Sequence, residues 1–316
     1  MDTPYNTTDV LDHGCVLILG NVFDIDLKFK TSYENFVENT PSCTHYFFPF
    51  VRGGHDFHKL GEFVLDATIH KWFDLEDILA QYGSNRDALF HTNHIVGTET
   101  ENRTDFQRLV NGLKSYLSSL DFSRPDEKSV AARLLKSIPD DGLNFPTIYT
   151  FNYTDVVEIG KTLGVDIVSP FYVHGSLKND DIILGVGDYA NLLVSADFMY
   201  KSFQNPYRSS PILTDLAHCD TLVIFGLSLS QVDYPYFKDF FSKVSSGNAN
   251  RPYIRIITYD DASKLDILRN LRRMNEGLIS LRNYSDFDII RTKDGIDETK
   301  VQQLISHIQK RCSLNF

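Results

Sequence analysis

Two side chains with complementary chemistry stand where apolar runs of this chain stop. Asn152 follows Thr147-Ile148-Tyr149-Thr150-Phe151, and His174 follows Phe171-Tyr172-Val173 and precedes Gly175. The Asn152 carboxamide can orient a water or a ribose hydroxyl, or it can cap the helix that follows, a task Thr154 or Asp155 could also perform. The His174 imidazole can accept a proton, and as a base it is expected to titrate near neutrality, although a histidine in such a place can equally be structural. Asn152 and His174 are the candidate catalytic pair.

Two further stops supply groups that bind. In Gly20-Asn21-Val22-Phe23-Asp24 the glycine lets the backbone turn tightly and leaves amides free to meet a phosphate, although a plain strand-to-turn junction reads the same way. In Phe225-Gly226-Leu227-Ser228-Leu229-Ser230, hydroxyls and neighbouring amides can hold a phosphate or a ribose. Asp233 lies near the start of the next helix, where a carboxylate offsets free backbone amides. Gly20, Asn21, Phe23, Asp24, Gly175, Gly226, Ser228 and Asp233 are therefore the candidate ligand-binding residues. Tyr234-Pro235-Tyr236-Phe237 is expected to fill core or cover the crevice.

These groups need elements that carry them to one place. Cys15-Val16-Leu17-Ile18-Leu19 is a continuous apolar run, the pattern of a strand buried on both faces of a parallel sheet. Thr147–Phe151, Ile167-Val168 with Phe171–Val173, Ile182–Leu184, Leu222–Phe225, Tyr253–Ile257 and Phe287–Ile290 are the other expected strands. Helical periodicity over Asp155–Gly164, Tyr234–Val244, Ser263–Asn275 and Glu298–Gln309 alternates with them. The alternation predicts an α/β fold with a doubly wound, mostly parallel sheet, and such sheets hold ligands at the carboxyl ends of their strands.

Residues 31–140 carry no comparable strand. Trp72, Leu75, Ile78 and Leu79 share one helical face, and Phe106, Leu109, Val110, Leu113, Tyr116 and Leu117 share another. The chain is therefore divided into residues 1–30 (first strand and loop), a mostly helical insertion at 31–140, and residues 141–316 (the remainder of a nucleotide-binding domain). The insertion's tips are expected at Arg52-Gly53-Gly54-His55 and Gly97-Thr98-Glu99-Thr100.

Composition narrows the function classes. The 316 residues are 42% hydrophobic, enough for a substantial core. A net charge of −11 and only short basic groups argue against a nucleic-acid partner. The cysteines Cys15, Cys43, Cys219 and Cys312 are scattered, with no CxxC pair, and no histidine cluster has ligand spacing, so no metal is expected. The start of the chain lacks a basic-then-apolar leader, and no run of about eighteen apolar residues suggests a membrane span, so a cytoplasmic protein is expected. A nuclease is the least favoured enzyme class, because no clustered carboxylates suggest a two-metal site.

Taken together, Leu19–Asp24, Thr31-Ser32-Tyr33, Trp72-Phe73-Asp74-Leu75-Glu76, Phe151-Asn152-Tyr153-Thr154-Asp155, Val173-His174-Gly175 and Phe225–Asp233 resemble the AbiH family of bacteriophage abortive-infection proteins. That family in turn is similar to sirtuin-like NAD-binding folds, with a glycine-rich first loop, an Asn after a central strand, a His-Gly pair and a late Gly-x-Ser loop. The resemblance implies a bacterial antiphage protein with a Rossmann-like, sirtuin-like site for NAD. In that site Gly20 and Asn21 hold the nicotinamide nucleotide and Asn152 positions water or ribose, while His174 acts as base and Gly226 and Ser228 bind the adenosine side. Val22 stands where the family loop usually carries glycine, which weakens the expected approach of a pyrophosphate. The zinc cysteines of sirtuin deacylases are absent, which turns the implied activity from deacylation to hydrolysis of the nicotinamide–ribose bond.

A non-catalytic module that senses NAD, ADP-ribose or another nucleotide is the rival reading, and Val22 favours it. A third is a protein-interaction component using Phe47, Phe48 and Phe50, residues that read equally as buried core. A small-molecule nucleotide is the expected partner, with a phage-derived trigger and self-association as further partners, and neither nucleic acid nor membrane.

Overall fold

Strand β1 (Cys15–Leu19) forms the centre of the sheet because all five of its residues are buried. The computed structural model describes residues 14–39, 75–84, 98–138, 146–204, 210–275, 277–293 and 295–313. β2 (Thr147–Thr150) and β3 (Phe171–Tyr172) lie to one side of β1, and β4 (Thr221–Phe225), β5 (Tyr253–Thr258) and β6 (Asp286–Arg291) lie to the other. The order is β3-β2-β1-β4-β5-β6, and every pairing is parallel. This is the Rossmann order, whose direction of winding reverses beside the first strand and leaves a crevice there. The expected doubly wound α/β fold is observed.

Register delivers the candidate residues to one edge. Leu19 lies beside Thr150 and Phe225, and Thr150 beside Tyr172. Gly20, Phe151, Val173 and Gly226 therefore leave the sheet at the same level. Hydrogen bonds continue the ladder past the strand ends, from Gly20 N–H to Phe225 O and from Phe151 N–H to Leu19 O.

Side chains alternate between the two faces of each strand. Leu17, Leu19, Ile148, Val223 and Phe225 pack on one face with α5 (Val130–Leu135), α6 (Val156–Thr162) and α11 (Glu298–Ser313), and with Phe23 of α1 (Asn21–Asp26). Val16, Ile18, Tyr149, Leu222 and Ile224 pack on the other with α7 (Ile212–His218), α8 (Tyr234–Ser245), α9 (Asp261–Asn275) and α10 (Leu278–Tyr284). A third cluster joins α2 (Tyr33–Asn39), α3 (Leu75–Gly83) and α4 (Glu99–Ser118) to the segment 182–199. Helix α4 begins at a complete capping box, in which Thr98 accepts from the Glu101 amide and Glu101 accepts from the Thr98 amide.

Two strand expectations are corrected. Ile182–Leu184 joins no sheet; it runs as an irregular segment whose apolar side chains fill the third cluster. Ile167 and Val168 precede the strand, which is only the two residues Phe171–Tyr172. A short apolar run fits a buried segment of any conformation, so periodicity could not separate these cases. The faces expected around Phe106 and around Leu75 are observed on α4 and α3. Trp72, Cys43, Phe47, Phe48, Phe50, Gly97 and the tip at Arg52–His55 lie outside the described residues. Among the described residues no helix is long and apolar enough to cross a membrane.

Candidate functional site

Asp24 is the most chemically unusual group at the sheet's carboxyl edge. The α1 helix starts immediately after Gly20 and carries this carboxylate inward, where it is buried. Thr154 Oγ1 donates to both of its oxygens, at 3.0 and 3.3 Å. Burial pushes the Asp24 pKa up from 3.8 to about 7; hydrogen bonding by Thr154, Asn152 and Thr31 offsets only part of that rise. A carboxyl poised near neutrality can take or give a proton under physiological conditions.

Asn152 joins the ends of β2 and β1. Its Nδ2 donates to Gly20 O at 3.1 Å, and its backbone amide donates to Thr150 Oγ1. It is not the cap of α6, because Asp155 accepts from the Val157 and Glu158 amides. Thr31 Oγ1 donates to Asn21 Oδ1 at 2.7 Å. Asn21, Asp24, Thr31, Asn152 and Thr154 together line a cavity of about 80 Å³, enclosed by Tyr33, Phe151, Tyr153 and the α4 residues Leu113 and Leu117.

His174 stands outside that polar group, against Phe151. The Phe151 ring lines the Asp24 cavity and meets the His174 ring edge-on at 5.2 Å. His174 is buried, and Lys201 Nζ donates to its Nε2 at 3.1 Å while also pairing with Glu76 Oε1 at 2.6 Å. Burial, and then the Lys201 charge, push the His174 pKa well below 6.5. The expected near-neutral base is thus corrected: the imidazole is held uncharged, and its Nε2 lone pair is occupied by Lys201. His174 lines neither this cavity nor the larger one beside Lys201.

The two glycine loops close on each other. Gly226 has φ +80, and a Cβ there would stand 2.6 Å from Val22 N; a Cβ on Gly20 would stand 2.7 Å from Gly226 O. Val22 N–H donates to Gly226 O, and Phe23 N–H donates to Gly20 O. These amides serve the loop itself in this conformation. Phe23 is fully buried with its ring edge-on to Phe225. Ser228 Oγ and the Ser230 amide both bond Asp233 Oδ2, so Ser228 and Asp233 brace their own turn. Gly175, at φ +73, packs against the Asp181 carbonyl, where a Cβ would have no room.

The structure therefore gathers Asn21, Asp24 and Asn152 and leaves His174, Gly226, Ser228 and Asp233 outside their cavity. Thr31 and Tyr33 belong to it and stand in the sequence only as parts of a longer motif, and Thr154, read there as a possible helix cap, belongs to it too. Lys201 carried no sequence signal. As a fit for NAD, the hydroxyl, amide and carboxyl groups suit a ribose, whereas 80 Å³ falls below the ~300–1,000 Å³ usual for organic ligands. Leu113, Leu117 and Tyr33 would have to move for a dinucleotide to enter.

Strand order and site define a Rossmann-like α/β protein with an ionisable polar cavity at the carboxyl edge of its sheet. The chain belongs to the AbiH family, described as bacteriophage abortive infection AbiH, whose model matches residues 16–254. That match runs from β1 to the start of β5 and includes every candidate residue. It assigns the chain to an antiphage, abortive-infection role. No curated protein and no solved structure matches the chain significantly.

Proposed function

We propose that this abortive-infection protein hydrolyses NAD at the nicotinamide–ribose bond, and that the activity, released on infection, depletes the host cofactor and halts growth. The observation that supports it is the buried Asp24 carboxyl, poised at about 7 beside Asn152, Thr31 and Thr154. Asn152 orients the ribose or the attacking water. Asp24, rather than His174, accepts the proton as the water oxygen bonds to the ribose C1′. The electron pair of the breaking C–N bond leaves with nicotinamide, and ADP-ribose is the other product. Positioning and a matched base together suit a transition state of oxocarbenium character.

The test follows free nicotinamide after mixing NAD with the protein and with Asn152→Ala, Asp24→Asn and His174→Ala. The native chain should release nicotinamide at a rate rising with pH through about 7. Asp24→Asn should be slower by about 10²–10⁴-fold and lose that pH dependence. Equal rates in all four proteins, or none in the native chain, would defeat the proposal.

The closed Gly20–Gly226 contact favours a second reading, in which the same cavity senses NAD or ADP-ribose without turning it over. Calorimetry showing saturable NAD binding with no nicotinamide release would select it.

A further inference from the structure

A second cavity, of about 320 Å³, is lined by Val173, Lys201 and Tyr236 among others. Its volume falls at the lower end of the ~300–1,000 Å³ range of small-molecule sites, enough for a ring rather than a dinucleotide. Tyr189, Tyr236, Val173, Ile212 and Pro235 give it largely apolar and aromatic walls. Tyr236 of this lining meets edge-on, at 5.2 Å, the Phe151 ring that lines the Asp24 cavity.

Lys201 supplies the polar end. It is only 6% exposed yet lines this cavity. An ammonium has three donors and no acceptor, and two of them are engaged by Glu76 Oε1 and His174 Nε2. The third N–H is taken by neither of these partners. Among the described residues the charges here do not favour an anion: Glu76 pairs with Lys201, and the Asp188 carboxylate, which accepts from Ser202 Oγ at 2.5 Å, adds a negative charge to the lining.

We infer that this cavity is a binding site for a flat, uncharged heteroaromatic ring bearing a carbonyl or carboxamide, whose oxygen accepts from Lys201 Nζ. Nicotinamide and an oxo-purine such as hypoxanthine share that chemistry. The inference holds whether or not the protein cleaves NAD.

Ligand-observed NMR and calorimetry with nicotinamide, hypoxanthine and nicotinate would test it. Saturable binding of nicotinamide or hypoxanthine is expected, and the tighter of the two identifies the source of the ring. Nicotinate should bind at least about ten-fold more weakly than nicotinamide, because its carboxylate must be desolvated beside the Asp188 carboxylate of the lining. Lys201→Met should weaken ring binding by about ten-fold or more, the loss expected for a hydrogen bond to a charged donor. Leu213→Trp places bulk in the lining at a half-exposed position where folding is not at stake, and it should abolish binding. No binding of either ring to the native chain, or undiminished binding to Leu213→Trp, would overturn the assignment. Nicotinamide release from NAD alongside absent ring binding would overturn this site alone and leave the hydrolase reading standing.

Discussion

Replacing Asp24 by Asn isolates the strongest electrostatic feature of the fold. In the native state Asp24 keeps its proton up to about 7, whereas the unfolded chain releases it at 3.8. A group whose proton affinity is raised by folding stabilises the fold fully below its unfolded pKa and loses that contribution as pH rises through the folded value. The window is therefore 3.8 to about 7, and the size of the effect is about 4 kcal/mol at roughly 1.36 kcal/mol per pH unit. Asparagine carries no charge, and its carbonyl can still accept from Thr154. Asp24→Asn should thus gain on the native protein as pH rises, by about 4 kcal/mol between pH 4 and 8, a relative shift in melting temperature on the order of 10 °C. Denaturant unfolding of both proteins across that range measures the difference directly. Taking the difference also removes other titrations, notably His174, whose lowered proton affinity works the opposite way and destabilises the fold as pH falls below 6.5. A flat or reversed difference would refute the buried, poised carboxyl.

Gly226→Ala should destabilise by about 1–2 kcal/mol for its left-handed backbone and about 1–3 kcal/mol more for the clash with the Val22 and Phe23 amides, read from the denaturant midpoint. An unchanged midpoint would contradict the close approach of the two loops. Lys201→Met breaks the buried Lys201–Glu76 pair and should cost about 3–5 kcal/mol, part of which Glu76→Gln should restore in the double variant, as thermal unfolding would report. The ¹⁵N shifts of His174 should show an uncharged ring protonated at Nδ1 at pH 6.5, because Lys201 donates to Nε2; a midpoint near 6.5 would contradict the Lys201 contact.

The sheet was readable because its strands are apolar on both faces. Cys15–Leu19 was delimited to the residue, and Leu222–Phe225, Tyr253–Ile257 and Phe287–Ile290 each fall inside the observed strand. Helix α5 was hidden by its brevity, since six residues give too little periodicity, yet it seats Val130, Ala131 and Leu134 in the core against the sheet. Asn152 was found as a polar residue following a strand, but whether it capped a helix depended on which neighbour won the competition, and Asp155 did. Asp24 was seen as a polar loop residue. Its significance lies in burial by Tyr153, Leu113 and Leu117, which are brought to it by long-range folding that no local pattern carries. The lowered proton affinity of His174 escapes the sequence for the same kind of reason: its partner Lys201 comes from a segment with no motif of its own.

On the function proposed above, the Asp24–Asn152 cavity is where the ribose of NAD is held. A crystal structure of Asp24→Asn, slowed so that substrate survives, soaked with NAD addresses it most directly. The nicotinamide ribose is expected within hydrogen-bonding distance of Asn152 and residue 24, with Leu113, Leu117 and Tyr33 displaced to admit it. NAD bound elsewhere on the sheet edge, or a cavity unchanged at saturating NAD, would contradict it.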